Sequence, residues 1–175
     1  SGCTKTVTLD DGVRTGTPPT VDFTGTPNDT CASESISFSG QAVTSPGASV
    51  NWLWDFGDGT TSEEQNPNHQ FEDIGNMVVK FTAFNNGCPG SVSKTFRIRP
   101  PIAKFTYVVN CTNRREVTFT NESLIDPALT PLTYLWQMGD PANTQFTTEN
   151  PPVFSYPAPG SYVVSLTVTN GVCSF

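Results

Sequence analysis

The chain has 175 residues, with 9 Lys and Arg against 16 Asp and Glu, and its net charge is −7. That balance argues against nucleic acid, which needs clustered cations, and against an anionic membrane surface. No apolar run approaches the length of a helical bilayer span, so membrane insertion is not expected either. With only 14% of residues charged, Thr, Ser, Asn, Pro and Gly fill the surface. This is the composition of short strands joined by many turns.

Taken in chain order, residues 2–9 read as a strand, with Val7 and Leu9 alternating with Thr6 and Thr8. The linker Thr17-Pro18-Pro19-Thr20 follows. Residues 21–24 and 36–39 alternate apolar with polar and predict half-buried strands. In residues 52–59 the same alternation puts Trp52, Trp54 and Phe56 on one face, with Leu53 and Asp55 on the other. Asp58-Gly59 then signals a tight turn, since Gly accepts positive φ and Asp bonds its own backbone. Residues 92–98 predict a further strand before the linker Arg99-Pro100-Pro101-Ile102, and residues 117–120 and 162–168 predict two more. Each Pro-Pro pair predicts an extended, stiff connector. No stretch carries a helical apolar period.

The chain repeats itself. Trp52-Leu53-Trp54-Asp55-Phe56-Gly57-Asp58 returns as Tyr134-Leu135-Trp136-Gln137-Met138-Gly139-Asp140, and Asn66-Pro67 returns as Asn150-Pro151. Residues 76–88 return as 161–173. On this phase, residues 1–17 are the last strand of a preceding repeat and 18–100 a complete domain. Residues 101–175 form a second domain without its last strand, so the chain is expected to be an excerpt from a longer array. Tandem copies of one small unit point to a spacer, stalk or multivalent binder, because catalysis usually needs one unique site.

Cys3, Cys88 and Cys173 fall at equal intervals of 85 residues, with Cys31 and Cys111 between them. Each repeat thus has one early and one late cysteine, which predicts the pairs Cys31–Cys88 and Cys111–Cys173 and leaves the partner of Cys3 open. Such bonds imply an oxidising compartment; the alternative is buried free thiols. Strands at these intervals, with a disulfide across them and aromatic stripes facing inward, predict an all-β chain of tandem immunoglobulin-like sandwiches in an extended array.

The residues Trp54-Asp55-Phe56-Gly57-Asp58-Gly59-Thr60, Asn66-Pro67-Asn68-His69-Gln70-Phe71 and Gly75-Asn76-Met77-Val78-Val79 resemble the motifs of a PKD (polycystic kidney disease) repeat. The second copy is similar in outline but departs at Gln137, Met138 and Pro141. The resemblance implies a sandwich of about seven strands per unit, an extracellular or bacterial cell-surface setting and a non-catalytic role. Its tandem cysteine-bearing form looks most like large surface adhesins. The implied partners are neighbouring repeats of the same protein, other copies in a filament, and a surface glycan or protein.

Trp54, Phe56, Trp136 and Tyr162 are the expected core markers, and Asp55, Asp58 and Gly59 the expected turn. Asp55 and Asp58 are also a weak Ca²⁺ candidate, since oxygen ligands at alternating positions suit that ion. Against this, Gln137 replaces Asp55 in the second copy. No catalytic residue is assigned. A catalytic role for the single His69 would need a nucleophile or acid fixed beside it, and a structural role at a strand edge is expected instead; the scattered carboxylates form no matched pair.

Overall fold

The computed structural model describes residues 17–44, 49–129 and 131–175. The preceding-repeat strand expected in residues 1–17, and Cys3 with it, lies outside the described residues except for Thr17.

Eight strands build the first module: β1 (Thr20–Thr26), β2 (Asp29–Cys31), β3 (Ile36–Val43), β4 (Val50–Asp55), β5 (Thr61–Ser62), β6 (Asn68–His69), β7 (Gly75–Asn85) and β8 (Cys88–Arg99). They form two sheets, ordered β1-β3-β6 and β2-β8-β7-β4-β5. Every pair is antiparallel except β2 with β8. The second module repeats the plan with β9 (Phe105–Val109), β10 (Glu116–Asn121), β11 (Thr133–Gln137), β12 (Gln145–Phe146), β13 (Phe154–Ser155) and β14 (Ser165–Thr169). Its sheets are ordered β13-β10-β9 and β12-β11-β14. Both units are immunoglobulin-like β-sandwiches, and among the described residues no helix is present.

The period-two alternation drives this packing, because every second side chain of a strand faces the opposite sheet. In the first core Phe23, Phe38, Trp54, Phe81 and Phe96 interlock, with ring centroids 4.4 to 6.3 Å apart. Trp54 and Trp136 are both fully buried. A buried indole needs an acceptor: Trp54 Nε1 donates to the Glu64 carbonyl at 2.7 Å and Trp136 Nε1 to that of Thr148 at 3.1 Å. Phe56 is buried beside Trp54, while Tyr162 is only half-buried and donates to the Ala158 carbonyl at 2.8 Å. Trp52 is half-buried, stacked on Phe81 with centroids 5.8 Å apart.

Glycine is required at two matching places. Gly57 has φ +79, and a Cβ there would lie 2.6 Å from the Val78 carbonyl oxygen; Gly139 has φ +65, with the Val163 oxygen 2.1 Å away. In each module the turn therefore lies flat against the neighbouring strand, and a side chain would lift it off.

The diproline linker is not a stretched connector. Pro100 and Pro101 are both buried and joined by a cis peptide. The Pro100 carbonyl accepts from the buried Asn170 Nδ2 at 3.0 Å. Asn85 grips the Thr17 carbonyl in the same way, also at 3.0 Å, so each module holds the linker that leads into it.

Candidate functional site

Two places concentrate chemistry: the Gly-Asp turn of each module, and the junction between modules. In the first turn Asp55 Oδ1 accepts from the Gly57 amide at 3.0 Å. Asp58 Oδ1 accepts from Thr60 N at 2.9 Å and Thr60 Oγ1 at 2.6 Å, and Asp58 Oδ2 accepts from His69 Nε2 at 2.7 Å. Gly59, at φ +90, closes the turn. Burial works against the charge on Asp58, but donation from Thr60 and His69 outweighs it and holds the carboxyl below its usual range.

His69 itself lies flat on Phe56, with centroids 3.9 Å apart, and edge-on to Phe71 at 4.6 Å. Its counterpart is revealed by strand register. His69 stands opposite Ile36, and Phe154 stands opposite Val117. Phe154 meets Tyr156 edge-on at 4.8 Å, as His69 meets Phe71. The second module thus fills the place with a plain aromatic ring, so ring packing is the role that the two modules share at this position.

In the second turn Asp140, 6% exposed, accepts from Thr144 N at 2.7 Å and Thr144 Oγ1 at 2.8 Å. Desolvation is again outweighed by these bonds, and the carboxyl is held low. Burial first, then the Asp140 charge, pushes the Tyr156 phenol up. It stays protonated and donates to the Met138 carbonyl at 3.0 Å. Asp55 Oδ1 and Asp58 Oδ1 thus bond within their own turn, and Asp58 Oδ2 ties the turn to His69 on β6. Among the described residues no three of His, Cys, Asp and Glu gather in one place.

These lowered carboxyls make stability depend on acid. The native carboxyls bind fewer protons than unfolded Asp, whose pKa is about 3.9. Their contribution is therefore present above about pH 4 and is lost as pH falls through the lowered native values. Melting temperature should be flat from pH 7 to 5 and drop below about pH 4. Asp58→Asn should flatten that drop while costing roughly 1–2 kcal/mol at pH 7.

The junction departs most from the sequence reading. Cys31 is bonded to Cys173, across the two modules and 142 residues apart. It is not bonded to Cys88, and Cys111 is not bonded to Cys173. Strand geometry explains this: Cys31 lies beside Arg99 at the far end of β8, while Cys88 begins that strand. An extended run of that length separates them by roughly 36 Å, beyond any disulfide. Cys173 reaches Cys31 because Asn170 Oδ1 accepts from the amides of Val172 and Cys173, at 3.1 and 2.8 Å, and folds the tip back toward the linker. Cys111 is exposed.

Apolar side chains seal the same seam. Ile102, 2% exposed, belongs to the core of the first module, and Leu124 and Phe175 pack against that core. Ile102 and Leu124 exchange backbone hydrogen bonds at 2.9 Å in both directions. Phe175 is held by paired backbone bonds with Val168 at 3.0 and 3.1 Å. Lys104 Nζ adds a bond to the Glu72 carbonyl at 3.1 Å. The sequence marked none of these residues as functional. One signal was available: in an array whose linker packs back on its own module, a late cysteine falls near the early cysteine of the unit before it.

Comparison with known proteins agrees with this architecture. A family model described as PKD domain matches residues 16–100 and again 98–173. A microbial collagenase of Vibrio alginolyticus is 46% identical over 50 residues, which is 28% of this chain and 6% of the collagenase. The chain thus spans a small fraction of that relative's length. The PKD1 domain of Vibrio anguillarum Epp aligns at 20% identity and a TM-score of 0.41, covering 48% of this chain and 96% of that domain. A structure described as carbohydrate-binding modules from the β-sandwich superfamily aligns at 14% identity and a TM-score of 0.45. That alignment covers 89% of this chain and 85% of the other. With matches over nearly its whole length, this chain belongs to the PKD domain family, as two consecutive copies.

Proposed function

We propose that this chain is a non-catalytic structural segment of a larger extracellular or bacterial cell-surface protein, of the adhesin, stalk or filament kind. Its modules space distal binding elements from their base and bear load. The observation that supports this reading is the junction. A disulfide, a buried isoleucine and a buried asparagine together fix one module on the next. A pair built only to carry two independent binding sites has no need of such a seam, since flexible linkers serve multivalency well. On this reading the carboxylates of the turns brace the fold and hold no metal.

A second reading, an accessory module that presents a polymer to a secreted hydrolase, draws on the stretch shared with the collagenase. One set of measurements separates the two. Residual dipolar couplings should fit a single alignment tensor for both modules, and the protein should wash freely from insoluble collagen, chitin and cellulose. Independent tensors would overturn the spacer reading, and retention on one of those polymers would favour the accessory one.

A further inference from the structure

In the larger sheet of the first module, half of one strand edge is left without a neighbour. β4 pairs along its whole length with β7, but on its other side β5 meets only Trp54 and Asp55. The cause is a change of sheet. After Ser62 the chain turns inward, where the Glu64 carbonyl accepts from Trp54 Nε1 and the Gln65 and Pro67 carbonyls accept from the Gly40 and Phe38 amides of β3. The chain thus leaves β4 for β3 before it can run beside residues 50–53.

Strand geometry identifies the groups on that edge. In an antiparallel ladder the N–H and C=O of alternate residues point to the same side. The Ser49 carbonyl accepts from the Asn86 amide at 3.0 Å, which turns residues 49, 51 and 53 toward β7. The Phe56 amide donates to the Thr60 carbonyl at 3.2 Å on the opposite side. Val50 and Trp52 are in phase with Phe56, so their N–H and C=O groups point away from β7, and among the described residues nothing pairs with them. Beside them is a hollow of about 560 Å³, lined by Val50, Asn51, Trp52, Leu53, Glu63 and Phe84 among others. Unpaired strand backbone next to a partly apolar hollow is a template for strand addition.

Alternation fixes what an added strand carries. Its residues opposite Val50 and Trp52 lie on the inner face, where both side chains pack against the first core, so they are apolar. The residue between them, opposite Asn51, lies on the outer face with Leu53. Glu63 lines the same hollow, is exposed and makes no ion pair among the described residues. An unpaired acid there, on a chain of net charge −7, selects a cation. We propose that residues 50–53 accept an extended segment of a partner protein as an added antiparallel strand, with the pattern apolar, Arg or Lys, apolar, and its cation paired with Glu63. The second module supplies a contrast. β12 likewise meets β11 only at Trp136 and Gln137, but Thr147 and Thr169 stand there in place of Glu63 and Phe84, so the charge selection belongs to the first module. The inference goes beyond the spacer reading and does not depend on it.

A capped synthetic peptide, Ser-Thr-Val-Arg-Val-Thr-Ser-Gly, titrated into the full isotope-labelled chain and followed by NMR tests this. On binding, the amides of Val50 and Trp52 should gain protection from hydrogen exchange, while those of Asn51 and Leu53, which already face β7, should not change. Replacing the arginine of the peptide by glutamate should weaken binding about tenfold. Glu63→Lys, at an exposed position, should reverse that order, so that the glutamate peptide binds the variant more tightly. The proposal is overturned if no binding is seen at millimolar peptide, if the two peptides bind alike, if Glu63→Lys leaves their order as it was, or if neither Val50 nor Trp52 gains protection. It is equally overturned if the chain self-associates through the Val50 and Trp52 amides without peptide, which would make a second copy the occupant. A chitin or cellulose oligosaccharide that shifts residues 50–53 where the peptide does not would overturn it in favour of a glycan.

Discussion

Stretched from its two ends, the oxidised chain should extend roughly 500 Å less than the same chain with Cys31 and Cys173 replaced by serine. The bond closes a loop of 142 residues, and an extended residue contributes about 3.3–3.6 Å. Almost all of both sandwiches lies inside that loop. Force therefore passes from the segment before Cys31, which includes β1 with its core residue Phe23, through the sulfurs, to the tail after Cys173, and the rest of both cores is spared it. A pair of bonds within each module would behave differently, shielding two short loops and leaving the linker exposed to load. In the chain-entropy picture a loop of this size also stabilises the native state by roughly 5 kcal/mol. The double serine variant should therefore melt at a markedly lower temperature as well as stretch further. Single-molecule pulling with and without reductant checks the first expectation and calorimetry the second. Equal extension in both redox states would remove the load-bearing role of the Cys31–Cys173 bond.

The individual module was legible in the sequence because its signals are local. Alternation around Trp54 and Trp136 located the central strands, and both indoles are buried as half of a strand's residues must be. Asp58-Gly59 located the turn because its chemistry is settled within three residues, in the bonds from Thr60. The seam was not legible, since it depends on how one unit is oriented on the next. Spacing within a repeat made Cys31 and Cys88 look like partners, but spacing in sequence does not reveal that they lie at opposite ends of one long strand. Ile102 read as part of a linker, and only packing shows it to be a core residue of the module before it. Counting from the Asn-Pro anchor would set Val153 against His69, but that anchor is followed in the second copy by one extra residue before Tyr156. Strand pairing places Phe154, rather than Val153, opposite Val117, as His69 stands opposite Ile36.

That core membership supplies the second large expectation. Ile102→Asp should lower the stability of the first module by at least about 3 kcal/mol, although the residue falls on the second module's side of the linker. Ile102 is 2% exposed and its neighbours in the cluster are apolar, so the new carboxylate would have no partner within the core. Burying an unpaired charge is costly enough that the seam should part instead, exposing Leu124 and Phe175. The first module's own indoles, Trp52 and Trp54, report its unfolding in a Trp136→Phe background, where denaturant midpoints can be compared directly. The disulfide remains in this variant, so the two modules stay tethered while losing their fixed orientation. Dipolar couplings should then require two alignment tensors, and combining Ile102→Asp with the two serine replacements should free the modules altogether. Should the midpoint for Trp52 and Trp54 stay where it was, the isoleucine contributes nothing to the first core and the seam is held by sulfur alone.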